Sequence, residues 1–124
     1  MTQSRQSLGL RGESLAIVCL EQAGMIVLAR RFRSRHGELD VVARDGATRV
    51  VVEVRARTRA AVVAPAATVT WRKQRQVTAM ASVFLHRHRE HARLRCRFDV
   101  VAVDAGTSPP RVTWFRDAFR PGWR

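Results

Sequence analysis

The feature that most constrains the fold is a segment of four valines, at positions 50, 51, 52 and 54, within residues 48–55. Side chains alternate between the two faces of a strand, so consecutive valines are typical of a strand that is buried on both faces. The segment therefore predicts a central strand of a sheet. At its charged end, Glu53 and Arg55 share one face with Val51.

The segments before this strand predict a helix and two further strands. Residues 8–23 repeat small and apolar side chains every three or four positions, and Gly24 follows as a left-handed stop, which predicts the helix. Residues 25–32 and 38–44 read as strands. Turns are expected at His36-Gly37 and at Asp45-Gly46, and the second is a strong hairpin signal. Together these segments predict an antiparallel meander.

The segments after it predict a second helix and two more strands. Thr70 is a plausible N-cap for a helix that runs to about residue 88, with an inward stripe of Val77, Met80, Ala81 and Phe84. Residues 94–103 and 112–115 are the expected strands. We expect an α/β fold, a mixed sheet flanked by helices in the order αβββαββ. It would form a single domain, residues 1–124, with flexible ends at about 1–7 and 120–124 and a mobile active-site loop at about 56–69.

Charge points to a polyanion as the partner. The chain has 23 basic and 10 acidic residues, a formal net charge of +13, and nucleic acid is the default partner for such a chain. A membrane surface is a distant second, because no basic amphipathic helix and no long apolar run is present. Lys73 is the only lysine, so a general preference for arginine can account for part of the charge. With two cysteines, no CxxC and no signal peptide, the chain is expected to be cytoplasmic and reduced.

Two acids are placed where a metal site could form. Asp40 opens one apolar strand and Glu53 closes the next, so a hairpin could bring both carboxylates to one edge of the sheet. Two carboxylates at such a short distance repel each other, and they need a cation, a shared proton or an arginine between them. With the carbonyl of Val54 they would provide the hard oxygen ligands that suit Mg²⁺ or Mn²⁺. Taken singly, each acid fits a structural ion pair better than a metal ligand; taken together, the acids favour the metal site.

Glu13 is a third candidate, because it lies on the buried stripe of the first helix, before Ala16, Ile17 and Leu20. A carboxylate there needs a partner. It could hold a water of the metal site, or it could accept hydrogen bonds from an arginine or from backbone N–H groups.

The start of the second helix is the candidate phosphate site. Arg72, Lys73 and Arg75 bring three cations to a helix terminus that favours negative charge, so an anion is expected nearby. A phosphate held by Lys73, Gln74 and free N–H groups would satisfy the site, with Arg72, Arg75 and Arg57 as further nucleic-acid contacts. The alternative is a solvated basic turn.

The chain also resembles a known family through five blocks that occur in order along most of its length. The blocks are Leu8-Gly9 with Gly12-Glu13 and Leu15-Ala16, then Gly37-Glu38-Leu39-Asp40, Val52-Glu53-Val54-Arg55, Val69-Thr70 with Lys73-Gln74, and Arg97-Phe98-Asp99-Val100-Val101-Ala102. They resemble the YraN-like family, an uncharacterised bacterial group similar to Holliday-junction resolvases and to the wider PD-(D/E)XK nuclease superfamily.

The resemblance implies a restriction-endonuclease-like core. Asp40 and Glu53 would ligate a divalent metal, Arg55 would stand where the superfamily usually has lysine, and Glu13 would be the acid carried by the first helix. Lys73 and Gln74 would be the polar pair of the second helix. Arginine stays protonated, so Arg55 can stabilise phosphate charge but cannot act as a general base, which excludes a mechanism that needs a lysine at this position.

These observations favour a Mg²⁺- or Mn²⁺-dependent endonuclease that acts on DNA, with branched or recombination intermediates suggested by the resemblance alone. The alternative is a non-catalytic nucleic-acid-binding module that keeps the nuclease fold, and a role in a protein assembly comes third. A homodimer would suit a two-fold symmetric junction.

Three histidines and two tryptophans are interpreted more simply. His86, His88 and His91 are expected on a solvated helix end rather than in a metal site. Trp114 is expected to pack in the core and Asp99 to pair with a neighbouring arginine. Trp71 fits either packing or base stacking.

Overall fold

The computed structural model describes residues 5–58 and 69–120. It contains two long helices, one short 3₁₀ turn and five strands in the predicted order αβββαββ. The helices are α1 (Arg5–Gln22) and α2 (Trp71–Arg87), and the 3₁₀ turn is Arg89–His91. The strands are β1 (Ile26–Ser34), β2 (Gly37–Asp45), β3 (Thr48–Arg57), β4 (Arg95–Asp104) and β5 (Arg111–Phe119).

The five strands form one mixed sheet in the order β1-β2-β3-β4-β5. β1, β2 and β3 make the predicted antiparallel meander, β3 pairs in parallel with β4, and β4 pairs antiparallel with β5. The valine strand β3 is therefore the middle strand, as its unbroken apolar run predicts. The parallel step requires a crossover, and α2 lies within it.

A helix covers each face of the sheet, and each face has its own apolar core. Ala16, Ile17 and Leu20 of α1 pack with Val50 and Val52 on one face. On the other face, the predicted stripe of α2 packs with residues that include Leu39, Val51, Phe98 and Val100. This three-layer arrangement is an α/β restriction-endonuclease-like fold.

The entry into α2 is fixed by three contacts. Thr70 is the N-cap, and its side-chain hydroxyl accepts a hydrogen bond from the backbone N–H of Lys73 at 3.1 Å. Val69 is 2% exposed and lies in the core, and the Gln74 side chain donates to the Val69 carbonyl at 2.9 Å. The first turn of α2 is thus held firmly against the sheet.

Several boundaries differ from the predicted ones. β3 continues to Arg57 because Ala56 and Arg57 pair with Val103 and Asp104 of β4, which is distant in sequence. The predicted loop therefore begins later, after Arg57; residues 59–68 of it lie outside the described residues, and Val69, its last residue, is buried. The first helix already includes residues 5–7, which were expected to be flexible.

β5 also extends further than predicted, to Phe119, and Asp99 explains how. The buried Asp99 carboxylate accepts hydrogen bonds from Arg97, from the Trp114 indole and from the backbone N–H of Asp117, where the chain has a positive φ of 52°. This network carries the pairing past an irregularity to Phe119 opposite Phe98. The expected packing of Trp114 and the expected Asp99–arginine pair are both confirmed.

The histidines at the end of α2 are only partly solvated, which corrects the prediction for two of them. The His88 ring stacks on Phe84 with 4.4 Å between ring centroids, and the His91 side chain is 15% exposed. His86 is exposed, as expected. In the part of the chain that the structure describes, no helix is long and apolar enough to cross a membrane.

Candidate functional site

The candidate site lies where the paired part of β2 and β3 ends. The ladder between these strands runs from Asp45 opposite Thr48 to Val41 opposite Val52, so Asp40 and Glu53 follow directly after its last pair. Asp40 turns toward β3, and its Oδ2 accepts a hydrogen bond from the backbone N–H of Val54 at 2.9 Å. The hairpin thus brings the two predicted carboxylates together.

A local distortion of β1 and β2 accompanies this geometry. Their register places Arg30 opposite Val41 and Phe32 opposite Leu39, but it leaves out the pair between them, Arg31 and Asp40. Arg31 has a positive φ of 46°, which is uncommon for a residue with a Cβ atom. Regular alternation is interrupted at this point, so Leu39 and Val41 belong to the cores on opposite faces.

Glu53 is the most buried acid of the candidate site, at 1% exposed. Burial raises its pKa to about 7, and the neighbouring charge of Asp40 adds to this rise, while Lys73 and Arg55 oppose it. Its Oε1 has no hydrogen-bond partner among the described residues. Such an unpaired polar atom in the interior costs free energy, so this oxygen is available to a cation or to a proton.

Asp40 shares this environment. Burial raises its pKa above the ordinary value, whereas the hydrogen bond from Val54 and the positive charges of Lys73 and Arg55 lower it. Two acids whose pKa values are both raised by burial and that repel each other are poorly satisfied as a free pair.

Lys73 supplies the nearest cation. Its Nζ lies 3.6 Å from Oε2 of Glu53, and its side chain is 29% exposed. The amine therefore stands at the mouth of the site, between the buried carboxylate and solvent. From the sequence, Lys73 is expected to contact phosphate alone, and a lysine is excluded only at position 55. In the structure, Lys73 reaches the Glu53 carboxylate from α2.

Arg55 lies two residues beyond Glu53 on β3, and its positive charge lowers the pKa of both Glu53 and Asp40. Its Nε is buried and has no hydrogen-bond acceptor among the described residues. An unpaired guanidinium N–H close to two carboxylates and a lysine suits an anionic oxygen from outside the protein, because guanidinium binds phosphate oxygens with directional hydrogen bonds.

Glu13 approaches the site from α1. It is 6% exposed, and its Oε1 lies 3.4 Å from the Nε of Arg31 and 3.6 Å from the Nε of Arg30. Burial raises the pKa of Glu13, Arg31 opposes the rise, and the charge of Asp40 adds to it. Arg30 and Arg31 thus form ion pairs with Glu13, while its Oε1 has no hydrogen-bond partner among the described residues.

The close approach of α1 depends on Gly12. A Cβ atom on Gly12 would lie 2.5 Å from the Cβ of Ala56 on β3, so only glycine permits this packing distance. The neighbouring Glu13 then lines a cleft of about 210 Å³ together with Asp40, Val54 and Arg31. The two acids thus face a shared opening to solvent.

The remaining predicted contacts surround the site. Arg72 and Arg75 are exposed on the first turns of α2, and Arg57 is exposed at the end of β3. Arg57 and Arg55 line a second, wider groove of about 740 Å³ that also contains Val54. Gln74 is the exception, because its side-chain amide is engaged with the Val69 carbonyl.

The residues present fit a hard divalent cation. Within residues 5–58 and 69–120, no group of three or more His, Cys, Asp or Glu side chains is arranged to hold a metal ion. Mg²⁺, however, is commonly held by one or two carboxylates and keeps several waters. Asp40, Glu53 with its unpaired Oε1 and the Val54 carbonyl provide such a set of oxygen donors. A soft or histidine-preferring metal finds no suitable ligands among these three groups.

Sequence reasoning missed two features of the site. One is the reach of Lys73 to Glu53. The other is Arg31, whose left-handed backbone and contact with Glu13 were not predicted. The doubled arginine at positions 30 and 31, which interrupts the apolar strand β1, is the one sequence signal that could have indicated it.

Comparison with known proteins places the chain in a family. The model that matches is described as "Uncharacterised protein family UPF0102" and covers residues 12–103, which include Glu13, Asp40, Glu53 and Lys73. The chain is 46% identical over 120 residues to a UPF0102 protein of Xanthomonas oryzae pv. oryzae (strain PXO99A), with 97% of each chain covered. It is 39% identical over 119 residues to a UPF0102 protein of Pseudomonas aeruginosa (strain LESB58), with 94% of this chain and 95% of the relative covered. The chain therefore belongs to the UPF0102 family, the YraN family that its five sequence blocks indicated.

Proposed function

We propose that this protein is a Mg²⁺- or Mn²⁺-dependent endonuclease that cleaves phosphodiester bonds of DNA. The observation that carries the proposal is the unpaired Oε1 of Glu53, 1% exposed beside Asp40 and within reach of two cationic side chains. Buried carboxylate oxygens normally have a hydrogen-bond partner. A site that receives a metal ion and a phosphate accounts for that oxygen and for the unpaired Nε of Arg55 together.

The metal would be held by Asp40, Glu53 and the Val54 carbonyl. When bound, it would supply Lewis-acid activation of water and would stabilise negative charge on the phosphate. The raised pKa of Glu53 means that a proton competes with the metal for this carboxylate near neutral pH.

The positive side chains of the site have a separate task. Arg55 stays protonated and is placed to hold a non-bridging phosphate oxygen, which stabilises the charge that develops during hydrolysis. Lys73 lies 3.6 Å from Glu53, where it holds the carboxylate in place and can also contact phosphate. Glu13 is held in place by Arg30 and Arg31. It would position the bound ligands from the side of Asp40 that faces α1.

The substrate class rests on charge. A net charge of +13 and the exposed Arg57, Arg72 and Arg75 around the site suit the phosphates of a nucleic acid. Branched DNA and recombination intermediates enter this proposal by family resemblance only.

The second candidate is a non-catalytic nucleic-acid-binding module. The observation in its favour is that Glu13 and Glu53 already have cationic partners within the chain, at 3.4–3.6 Å. Arg55 in place of lysine agrees with a nuclease fold that has lost its activity. The two candidates differ in whether Asp40 and Glu53 bind a metal.

The test compares cleavage by wild type and by Glu53→Gln. Labelled linear duplex, single-stranded and four-way-junction DNA are each incubated with protein, with and without Mn²⁺. Glu53→Gln removes the charge and one metal ligand while preserving the shape of the side chain, so we expect cleavage to fall by at least about 100-fold. Glu21→Gln is the matched control, because Glu21 is an exposed acid on α1.

The outcomes separate the candidates. Mn²⁺-dependent cleavage that Glu53→Gln abolishes and Glu21→Gln retains supports the nuclease. Undiminished cleavage by Glu53→Gln rules out the site described above. Salt-sensitive DNA binding without cleavage on any substrate supports the binding module instead.

A further inference from the structure

Trp71 is the most exposed large apolar side chain in the described part of the chain, at 64%. It is the first residue of α2, two residues before Lys73, so it lies roughly 3 Å from Lys73 along the helix axis and points to nearly the opposite side of the helix end. We propose that the Trp71 indole is a stacking platform for an unpaired base of DNA next to the phosphate at the Glu53–Lys73 site. This assignment deepens the proposed function and depends on it for the position of that phosphate.

Exposure alone does not make a binding site, since single apolar residues on a protein surface are ordinary. The backbone that carries Trp71 is rigid. The Thr70 cap, the buried Val69 and the Gln74–Val69 hydrogen bond fix the turn on which it stands. An aromatic ring on a fixed backbone has few conformations to lose when a base stacks on it, which favours binding.

Positive charge lies near the Trp71 ring. Arg72 and Arg75 are exposed on the same turns of α2, and no acid in residues 5–58 or 69–120 lies within ion-pair distance of either guanidinium. Channels for single-stranded nucleic acid combine such unpaired cations, which follow the backbone phosphates, with aromatic rings on which the bases stack. A protein partner would instead favour an apolar surface with few charges at its centre.

Trp114 of the same chain differs from Trp71 in its contacts. The Trp114 indole donates a hydrogen bond to Asp99 at 2.9 Å, and Arg116 lies over the ring at 4.1 Å, so both its polar edge and one face are in use. For Trp71, neither an indole hydrogen bond nor a ring contact is present among the described residues. Its faces are therefore open to a base.

A base can stack on this ring only when it is not paired in a duplex. The platform thus favours single-stranded segments, or junctions whose bases are unpaired next to the phosphate at the site, over blunt duplex DNA. The substrate class that follows is DNA with unpaired bases near the cleavage position.

The test measures binding in EDTA, so that cleavage plays no part. Affinities of wild type, Trp71→Ala and Trp71→Phe are measured for labelled oligodeoxythymidine, for a base-free oligomer with the same number of phosphates and for a blunt duplex. Loss of one stacking contact weakens binding by about fivefold or more. We expect that loss for Trp71→Ala on oligodeoxythymidine only, with Trp71→Phe retaining most of the affinity.

Arg72→Ala serves as the charge control, because it should weaken binding to all three ligands by similar factors. Equal thermal unfolding midpoints of the variants and wild type show that the fold is unchanged. The platform is wrong if Trp71→Ala binds oligodeoxythymidine as tightly as wild type does, or if it loses the same factor on all three ligands. Absence of cleavage by the wild-type protein in Mn²⁺ would contradict the nuclease, whereas the base-specific loss in EDTA tests the platform alone.

Discussion

Glu53 is the residue on which the proposed chemistry depends. A carboxyl group whose pKa is raised to about 7 is partly protonated at neutral pH, so a proton would compete there with a bound cation. The surrounding residues are arranged so that neither state is fully satisfied in the metal-free protein. Burial and Asp40 disfavour the charge, and Lys73 and Arg55 favour it.

The stability of the metal-free protein should depend on pH through Glu53. The folded-state pKa of Glu53 is raised from 4.5 to about 7, so its contribution to stability is fully present below about 4.5 and is lost as the pH rises through 7. We expect wild type to lose on the order of 3 kcal/mol more than Glu53→Gln between pH 5 and pH 8 in EDTA. Denaturant unfolding at several pH values measures this difference.

Glu21→Gln again provides the comparison, because an exposed glutamate should leave the pH profile as it is in wild type. Parallel profiles for wild type and Glu53→Gln would contradict the burial of a charged group at this position. Adding Mn²⁺ should reverse the trend, since the metal binds the deprotonated carboxylate and stabilises the folded state more at pH 8 than at pH 5.

At the scale of the elements, the packing of α1 on β3 decides where Glu13 lies. Gly12→Ala would place a methyl group 2.5 Å from the Cβ of Ala56, so α1 would have to move away from the sheet. We expect a loss of about 1–3 kcal/mol in the free energy of unfolding. We also expect slower cleavage, because Glu13 moves with the helix.

The same helix provides the control. A Cβ on Gly9 would have nothing within 4 Å, so Gly9→Ala should stabilise α1 by about 0.5–1 kcal/mol. If both substitutions had the same effect on unfolding, the close contact between Gly12 and Ala56 would not be the cause.

The comparison of the two strands that carry the acids shows how far sequence could predict this site. The turn at Gly46 and the alternation of Val51, Glu53 and Arg55 are local signals, and they correctly placed both acids at neighbouring positions. The left-handed Arg31 could not be predicted, because that conformation is imposed by pairing and by Glu13 rather than by local preference. The extension of β3 to Arg57 could not be predicted either, because it depends on pairing with a strand far along the chain.

Lys73 illustrates the same distinction for a side chain. The N-cap at Thr70 and the apolar stripe predicted α2 correctly, and so the residue was known to lie in its first turn. Its contact with Glu53 depends on where the crossover places the helix over the sheet, and on the reach of a long, flexible side chain. Neither is encoded in a short segment of sequence.

On the scale of the whole molecule, the acids are largely neutralised within the fold, and the excess positive charge is left on the surface. Glu13, Glu38, Asp45, Glu53, Asp99 and Asp117 each have an arginine or lysine nitrogen within 3.6 Å. Exposed arginines beyond these pairs, such as Arg57, Arg72 and Arg75, lie around the site end of the sheet. Phosphate groups near that end would therefore meet positive charge that no ion pair among the described residues offsets.

This arrangement predicts how DNA binding depends on salt. The affinity should fall steeply as salt rises, and Arg57→Ala should reduce the slope of log affinity against log salt by about one if Arg57 contacts a phosphate. Arg93→Ala is the matched control, because it removes the same charge just before β4, at the opposite end of the sheet. An equal change for both variants would indicate general attraction rather than a contact at the site.

Because α2 lies in the crossover between β3 and β4, the parts of the candidate site are synthesised at different times. The hairpin that carries Asp40 and Glu53 leaves the ribosome before Lys73, and long before the β4 strand that completes the parallel pair. Local hairpins close quickly, whereas parallel pairing waits for distant residues. A nascent chain that ends before α2 holds both acids in solvent without their lysine, so the altered chemistry of Glu53 arises only when the whole chain has folded.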